Sequence, residues 1–326
     1  MLYRQRVQTS PPNSQISRTP DFSKGYAAIF GTIVIWSTPS LFLFYLNRFY
    51  DPFAQNFYRY AIACLAVLPF LFRRRRISPT PLTLKLFFAC VLPAIPNVIH
   101  QVTQVLALNY IGPGVFTIFM RSSVIITALL ALVFFPEERW IIRHWRFQTG
   151  TVLGLLGAIG VLWFQPGWET GAVALRGFLV TFVAAFCWAL YGVFVKRPSA
   201  ELGPVRSFAL VSLITSVLLF VLTIAWGNIR TPLQAGAHVN FILIFSAVTS
   251  ISLAHVLYYI AIRELGVALA QTLQLLCPLG ALVLSYFIFG ERLTTPQIWS
   301  AALLLFGAFL AVQIKPARTL ATAENL

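Results

Sequence analysis

The chain has 326 residues, 58% of them hydrophobic and 10% charged, with a mean hydropathy of +0.79. Soluble domains carry roughly 25% charged residues, so this sequence lacks the polar groups to cover a water-facing surface and reads as a polytopic membrane protein. Its formal net charge of +15 does not restore a nucleic-acid partner, because the basic residues sit between apolar runs, where the positive-inside rule places them.

In chain order, residues 1–24 are polar and rich in Ser and Pro, with Arg4, Arg6 and Arg18. They lack the short apolar core and small-residue cleavage site of a signal peptide and are expected to form a retained, disordered cytoplasmic tail. A helix needs about 20 apolar residues to cross the hydrocarbon core. Ten such runs follow, at 25–46, 53–72, 83–108, 113–135, 147–164, 174–195, 204–226, 239–263, 266–289 and 294–314. The predicted fold class is therefore all-α integral membrane, with ten transmembrane helices. Residues 25–164 form a first five-helix repeat, 165–173 a connecting loop, 174–314 a second repeat, and 315–326 a cytoplasmic C-terminal tail.

Charge placement orients this arrangement. With the N-terminus inside, eighteen of the 24 Lys and Arg lie at cytoplasmic ends, against four outside: Arg48, Arg176, Arg230 and Arg292. Arg59 and Arg121 remain within the spans. Both termini are thus expected in the cytoplasm. The densest run, Arg73 to Arg76, reads as a topology anchor, with an anionic-lipid contact as the alternative. Cys64, Cys90, Cys187 and Cys277 all fall in apolar segments without CxxC spacing, which suggests neither a metal site nor a disulfide framework. No cofactor is expected.

The two halves echo each other weakly. A shift of 152 residues aligns Gly25 with Gly177, Trp36 with Trp188 and Pro52 with Pro204. A shift of 154 brings Gly112 onto Gly266 and Glu137 onto Glu291, and a shift of 150 sets "LGAIGV" beside "FGAFLA". An odd number of spans per half inverts the second half. Inverted repeats are a transporter architecture, with substrate held near the bilayer midplane between the halves.

The segment "PLGALVLSYFIFGERLTTPQIWSAALLLFGAFLAV" (278–312), with Pro278, Gly290, Glu291 and Gly307, resembles the EamA-type drug/metabolite transporter superfamily. Glu137 and Gly157 echo it in the first half, and Arg59 in "FYRYAIACLAVLPF" matches an arginine often seen in that family's second helix. The resemblance implies an exporter of amino acids, other metabolites or drugs, working by alternating access in a bacterial inner membrane. Its partners would be a small-molecule substrate and the lipid bilayer, and a homodimer is allowed. Val124 stands where the second half has Pro278, which predicts a fourth helix less kinked than the ninth.

Arg121, near the centre of "FTIFMRSSVIIT", is the candidate with the sharpest physical claim. A charge at that depth costs about 2.5 to 3.5 kcal/mol on insertion scales, and none of the nine acidic residues lies mid-span. Its guanidinium either binds a carboxylate or phosphate of the substrate or ties off carbonyls of a neighbouring helix. Asn97, His100, Gln101 and Gln104 share one helical face. The 154-residue shift carries Gln101 onto His255, Gln104 onto Tyr258, Thr117 onto Gln271 and Met120 onto Gln274. These positions are expected to line a pocket between the halves, with Trp36, Trp188 and Tyr191 as aromatic walls. His100 and His255 are the candidates for any proton carriage, the alternative being neutral histidines in a cavity wall.

Arg59 is assigned a gating or structural role: snorkelling outward, closing a gate with Asp51, or guiding an anion. Glu137 and Glu291 are read as helix-end features of the fold. The leading function is export of a small carboxylate-bearing metabolite such as an amino acid. The alternative is export of drugs or of uncharged or cationic metabolites, with Arg121 structural. An intramembrane enzyme lacks a nucleophile beside a base, and a membrane scaffold leaves the convergent polar faces unexplained.

Overall fold

The computed structural model describes residues 20–72, 83–110, 116, 120–164, 175–280 and 294–313, and these contain helices and turns but no strand. Helix α1 (Phe22–Trp36) starts where the Asp21 carboxylate accepts the Lys24 N–H at 3.0 Å, satisfying one of the donors that every helix start leaves open. The first expected span is broken at Ser37 and Thr38 and resumes as α2 (Pro39–Leu46) with proline in its first turn. Asp51 opens α3 (Pro52–Phe72): its Oδ1 accepts the N–H groups of Phe53 and Ala54, both at 2.9 Å. Thr83 caps α4 (Leu84–Ala107) through the Leu86 N–H. Then come α5 (Ser122–Phe134), a 3-10 turn (Pro136–Glu138), α6 (Arg139–Arg143) and α7 (Trp145–Trp163).

The second half begins with α8 (Leu175–Leu202), which continues past Pro198 and beyond the end read from sequence. It goes on through α9 (Pro204–Trp226), α10 (Thr231–Gln234), α11 (Ala237–Ser246), a π-helical stretch (Ala247–Leu253) and α12 (Ala254–Leu265). Next are α13 (Val267–Leu273) and a 3-10 turn (Gln274–Leu276); α14 (Thr295–Val312) is opened by a Thr294/Gln297 capping box. Among the described residues, five stretches are long and apolar enough to cross a membrane: Phe22–Leu46, Leu84–Ala107, Leu179–Leu202, Pro204–Trp226 and Ala237–Leu265. Ser122–Phe134, Val267–Gly280 and Thr295–Ala311 are shorter apolar helices. Large apolar side chains such as Phe30, Leu65, Leu129, Phe182, Phe241 and Phe309 stand exposed around the bundle, the outward face that lipid accepts and water does not.

Helix packing maps onto itself when the halves are exchanged. α3 packs on α9 and α7 on α14, each uniting equivalent elements, while α4 on α8 is matched by α12 on α1. The α7–α14 crossing is made by bare backbone. A Cβ on Gly307 would lie 2.4 Å from the Gly154 nitrogen, and one on Gly157 would lie 2.4 Å from the Leu304 nitrogen. Small residues let helices approach this closely where no water drives them together.

Several helices are irregular at corresponding levels. α4 carries Pro93 and Pro96, which remove ladder hydrogen bonds, and the 154-residue shift places them on Ala247 and Ser250 within the π-helical stretch. In the fourth segment, Met120 is helical, Arg121 is a turn residue and Ser122 starts α5; the ninth breaks at the 3-10 turn Gln274–Leu276. Arg121 thus marks a turn level with the 3-10 turn of the other half even without a proline. Residues 1–19, Arg73 to Arg76, Gly112, Thr117, the connecting loop, Gly290, Glu291 and residues 314–326 lie outside the described residues.

Candidate functional site

The interrupted helices bring their polar residues to a core of aromatic rings shared by both halves. Trp36 ends α1 and donates its indole N–H to the Ser250 carbonyl in the π-helical stretch at 2.9 Å. Its ring meets Trp188 (5.2 Å between centroids), His255 (5.2 Å) and Tyr258 (5.1 Å). Trp188, on α8, stacks on Tyr258 at 5.5 Å, lies 4.9 Å from His100 and 5.3 Å from Tyr191, and donates to Gln271 Oε1 at 3.3 Å. Gln271 in turn donates to Thr127 at 3.4 Å. Gly192 makes the approach possible: a Cβ there would stand 2.9 Å from the Tyr258 hydroxyl.

Two kinds of polar group occupy this core. On α4, the predicted stripe is tied into a closed network with Tyr60 of α3. Asn97 exchanges hydrogen bonds with the Tyr60 hydroxyl (3.0 and 3.1 Å) and donates to Thr215 at 3.2 Å. Gln101 donates to Tyr60 at 2.8 Å, and Gln104 donates to Gln101 at 2.5 Å. Asn56 of α3 donates to the Gln101 carbonyl at 2.8 Å. In the second half the pattern reverses. His255 Nε2, the Tyr258 hydroxyl, the Gln274 amide nitrogen and the Ser250 hydroxyl are buried without a hydrogen-bond partner. Gln55 Oε1 and Asn56 Oδ1 on α3 share that state.

Both core histidines are pinned through Nδ1. His100 bonds the Ala184 carbonyl and His255 the Ile251 carbonyl, each at 2.9 Å. A carbonyl only accepts, so Nδ1 carries the hydrogen in both. Tyr191 shares a 2.8 Å hydrogen bond with Tyr259.

Arg121 sits at the break in the fourth segment, half-buried. Its Nη1 donates to the Gln274 carbonyl at 2.7 Å, and the guanidinium also interacts with the Cys277 side chain. The contact joins the two matched interruptions across the halves. Arg59 is almost fully buried and donates to the Ser246 hydroxyl at 3.1 Å, so it does not snorkel outward. Nor does it close a gate with Asp51. The Asp51 oxygens are engaged by backbone N–H groups, two at the start of α3 and one from Asn228 at 2.9 Å.

Glu137 lies at the α5 end, exposed, with its carboxylate 2.9 Å from Lys196. The buried acid is its neighbour Glu138, which sequence reasoning passed over. Glu138 bonds Lys196 at 2.5 Å and accepts the N–H groups of Val267 (3.1 Å) and Ala268 (3.2 Å), capping α13 after the left-handed Gly266 (φ +86°). Tyr60, Thr215 and Ser250 were also missed. Tyr60 directly follows Arg59 and falls four residues after Asn56 on the same helical face, a signal available in the sequence.

Comparisons with known proteins agree with this architecture. A sequence model described as the EamA-like transporter family matches residues 23–163 and 175–313, one match per half. An "Uncharacterized transporter" of Haemophilus influenzae is 22% identical over 64% of this chain and 68% of its own length. A "Probable amino-acid metabolite efflux pump" of Escherichia coli (strain K12) is 24% identical over 63% of this chain and 70% of its own. A solved crystal structure superimposes with a TM-score of 0.71 at 18% identity, covering 89% of this chain and 98% of that one.

Proposed function

The chain belongs to the EamA-like transporter family, a family of multi-pass membrane transporters, and from that premise we propose that it exports a small carboxylate-bearing metabolite, such as an amino acid, by alternating access. The halves would rock about the α3–α9 and α7–α14 contacts, which unite equivalent elements. In this reading each half contributes five spans, the second inverted relative to the first, with both termini cytoplasmic in a bacterial inner membrane. The cargo sits among Trp36, Trp188, Tyr191, His255, Tyr258, Gln271 and Gln274. The observation carrying this reading is the convergence of interrupted helices from both halves on a buried core holding unpartnered polar atoms. Broken helices at a repeat interface are the physical mark of a transporter site. The relative named as an amino-acid metabolite efflux pump supports the substrate class.

A second reading is favoured by one contact. Arg121 already serves the Gln274 carbonyl, so it acts by holding the ninth segment's break in shape, and the cargo is neutral or cationic. Counterflow in proteoliposomes separates the two. Arg121→Ala abolishing exchange of amino acids while sparing their amides selects carboxylate binding. Equal loss for both selects the positioning role. A wild-type protein that exchanges none of a broad metabolite panel sinks the transport assignment itself.

A further inference from the structure

The unpartnered atoms of the second half have a defined polarity. His255 donates through Nδ1 to the Ile251 carbonyl at 2.9 Å, so its neutral ring presents a lone pair, and no hydrogen, at Nε2. That nitrogen is buried and receives no donor. The donors of the rings around it are engaged elsewhere: Trp36 (5.2 Å) spends its N–H on the Ser250 carbonyl, Trp188 (6.0 Å) on Gln271, Tyr60 (6.4 Å) donates to Asn97, Tyr191 (6.0 Å) shares a hydrogen bond with Tyr259, and Phe208 (5.3 Å) has no polar atom. The Tyr258 hydroxyl and the Gln274 amide nitrogen lie beside one another, both without a partner of good geometry. The π-helical stretch ends two residues before His255 and holds the fourth such atom, the Ser250 hydroxyl. Wide turns of this kind are rare and concentrate at functional sites.

Resting on the transport reading above, we propose that His255 Nε2 is the acceptor for an N–H or O–H donor of the cargo, while Gln274 and Tyr258 donate to a cargo oxygen. The site selects molecules bearing a donor and an acceptor a few atoms apart, such as a primary amine beside a carboxylate. It recognises the donor with a neutral lone pair among aromatic faces, not with a carboxylate. In this arrangement His255 reads chemistry and carries no proton, since its one free position is taken by cargo.

The test uses the full chain in lipid nanodiscs with two probes, L-phenylalanine and its N,N,N-trimethyl betaine, which share ring and net charge but differ in having an N–H donor. Calorimetric binding should favour phenylalanine by about tenfold or more in the wild type, the size of one buried acceptor left unpaired. In His255→Phe that preference should fall to near parity. An unchanged preference in the variant overturns the proposal. So does no preference in the wild type, the result if water alone occupies Nε2. Binding of neither probe overturns the amino-acid reading and leaves this proposal to 15N NMR of histidine-labelled wild-type protein, which also decides if the variant does not fold. A His255 protonated at Nδ1 sustains it, and one protonated at Nε2 overturns it.

Discussion

Helix α4 and the stretch from the π-helical turn through α12 occupy equivalent places in the two halves, yet they treat their polar side chains in opposite ways. On α4, Asn97, Gln101 and Gln104 are bound to Tyr60, to Thr215 and to one another. On α12 and the π-helical stretch before it, His255, Tyr258 and Ser250 keep buried atoms without a hydrogen bond of good geometry. Burying a polar atom without a partner costs free energy, and a chain under selection for stability alone would remove it. These two equivalent stretches have therefore divided the work. The polar stripe of α4 fastens helices together, whereas α12 and the π-helical stretch hold unsatisfied groups ready for a cargo. Even the helix irregularities follow this division, prolines on one side and a π-helical turn on the other.

The largest expected effect tests what both halves share. Gly307→Leu forces a Cβ to within 2.4 Å of the Gly154 nitrogen and 2.6 Å of the Gly150 carbonyl oxygen. Backbone cannot yield as a side chain can, so the cost should exceed the roughly 1 to 3 kcal/mol typical of overpacking. Size-exclusion chromatography of detergent extracts should show loss of the monodisperse species. A variant as well behaved as wild type would mean that the α7–α14 crossing does not hold the halves together.

Next comes the tie between the halves made by Glu138. Glu138→Ala takes one of its two carboxylates from Lys196, which keeps Glu137, and leaves two α13 N–H groups without their acceptor. Removing one partner of a buried pair costs about 3 to 5 kcal/mol, at the lower end here because Lys196 is partly exposed. Glu137→Ala should cost at most about 1 kcal/mol, as exposed pairs do. Thermal unfolding midpoints should rank the two in that order, and equal shifts would refute the distinction. Partial desolvation raises the Glu137 carboxyl pKa, but the hydrogen bond and charge of Lys196 outweigh it and leave the value below the ordinary one. The small contribution of Glu137 is thus present at neutral pH and lost as pH falls through the folded-state value.

These two acids also show what the sequence can and cannot reveal. Apolar runs, charge bias and the two-fold echo depend on composition and spacing, and they exposed the membrane class and the repeat. Repeat alignment drew attention to Glu137 because it pairs with Glu291. Burial selects Glu138 instead, and burial follows from where α13 begins, which no local pattern encodes. The same holds at the core. Asn97 and Gln101 were visible as a stripe, but whether a stripe is satisfied depends on Tyr60 and Thr215 arriving from other helices. The π-helical stretch has no compositional mark at all. Pro93 and Pro96, by contrast, mark the equivalent stretch of α4 in plain sight.

The smallest effect discriminates most finely between the halves. Tyr60→Phe deletes a hydroxyl that bonds Asn97 and Gln101 and takes the best hydrogen bond from each amide, whose nitrogens keep only Thr215 and the Asn97 oxygen, at a cost of about 1 to 3 kcal/mol. Tyr258→Phe deletes a hydroxyl that has only a poorly aligned contact with the Gln274 side chain, so stability should change by less than about 0.5 kcal/mol or rise slightly, because a desolvation cost disappears with the atom. Function should follow the reverse order. Tyr258→Phe weakens cargo binding in counterflow, while Tyr60→Phe, measured at a temperature where it stays folded, exchanges normally. The chemical change is identical and both side chains are fully buried, so burial and ring packing cancel between the two variants. Only the presence of a partner differs. If both lose stability equally, the Tyr258 hydroxyl is already satisfied within the protein, and the second half fastens helices just as the first does.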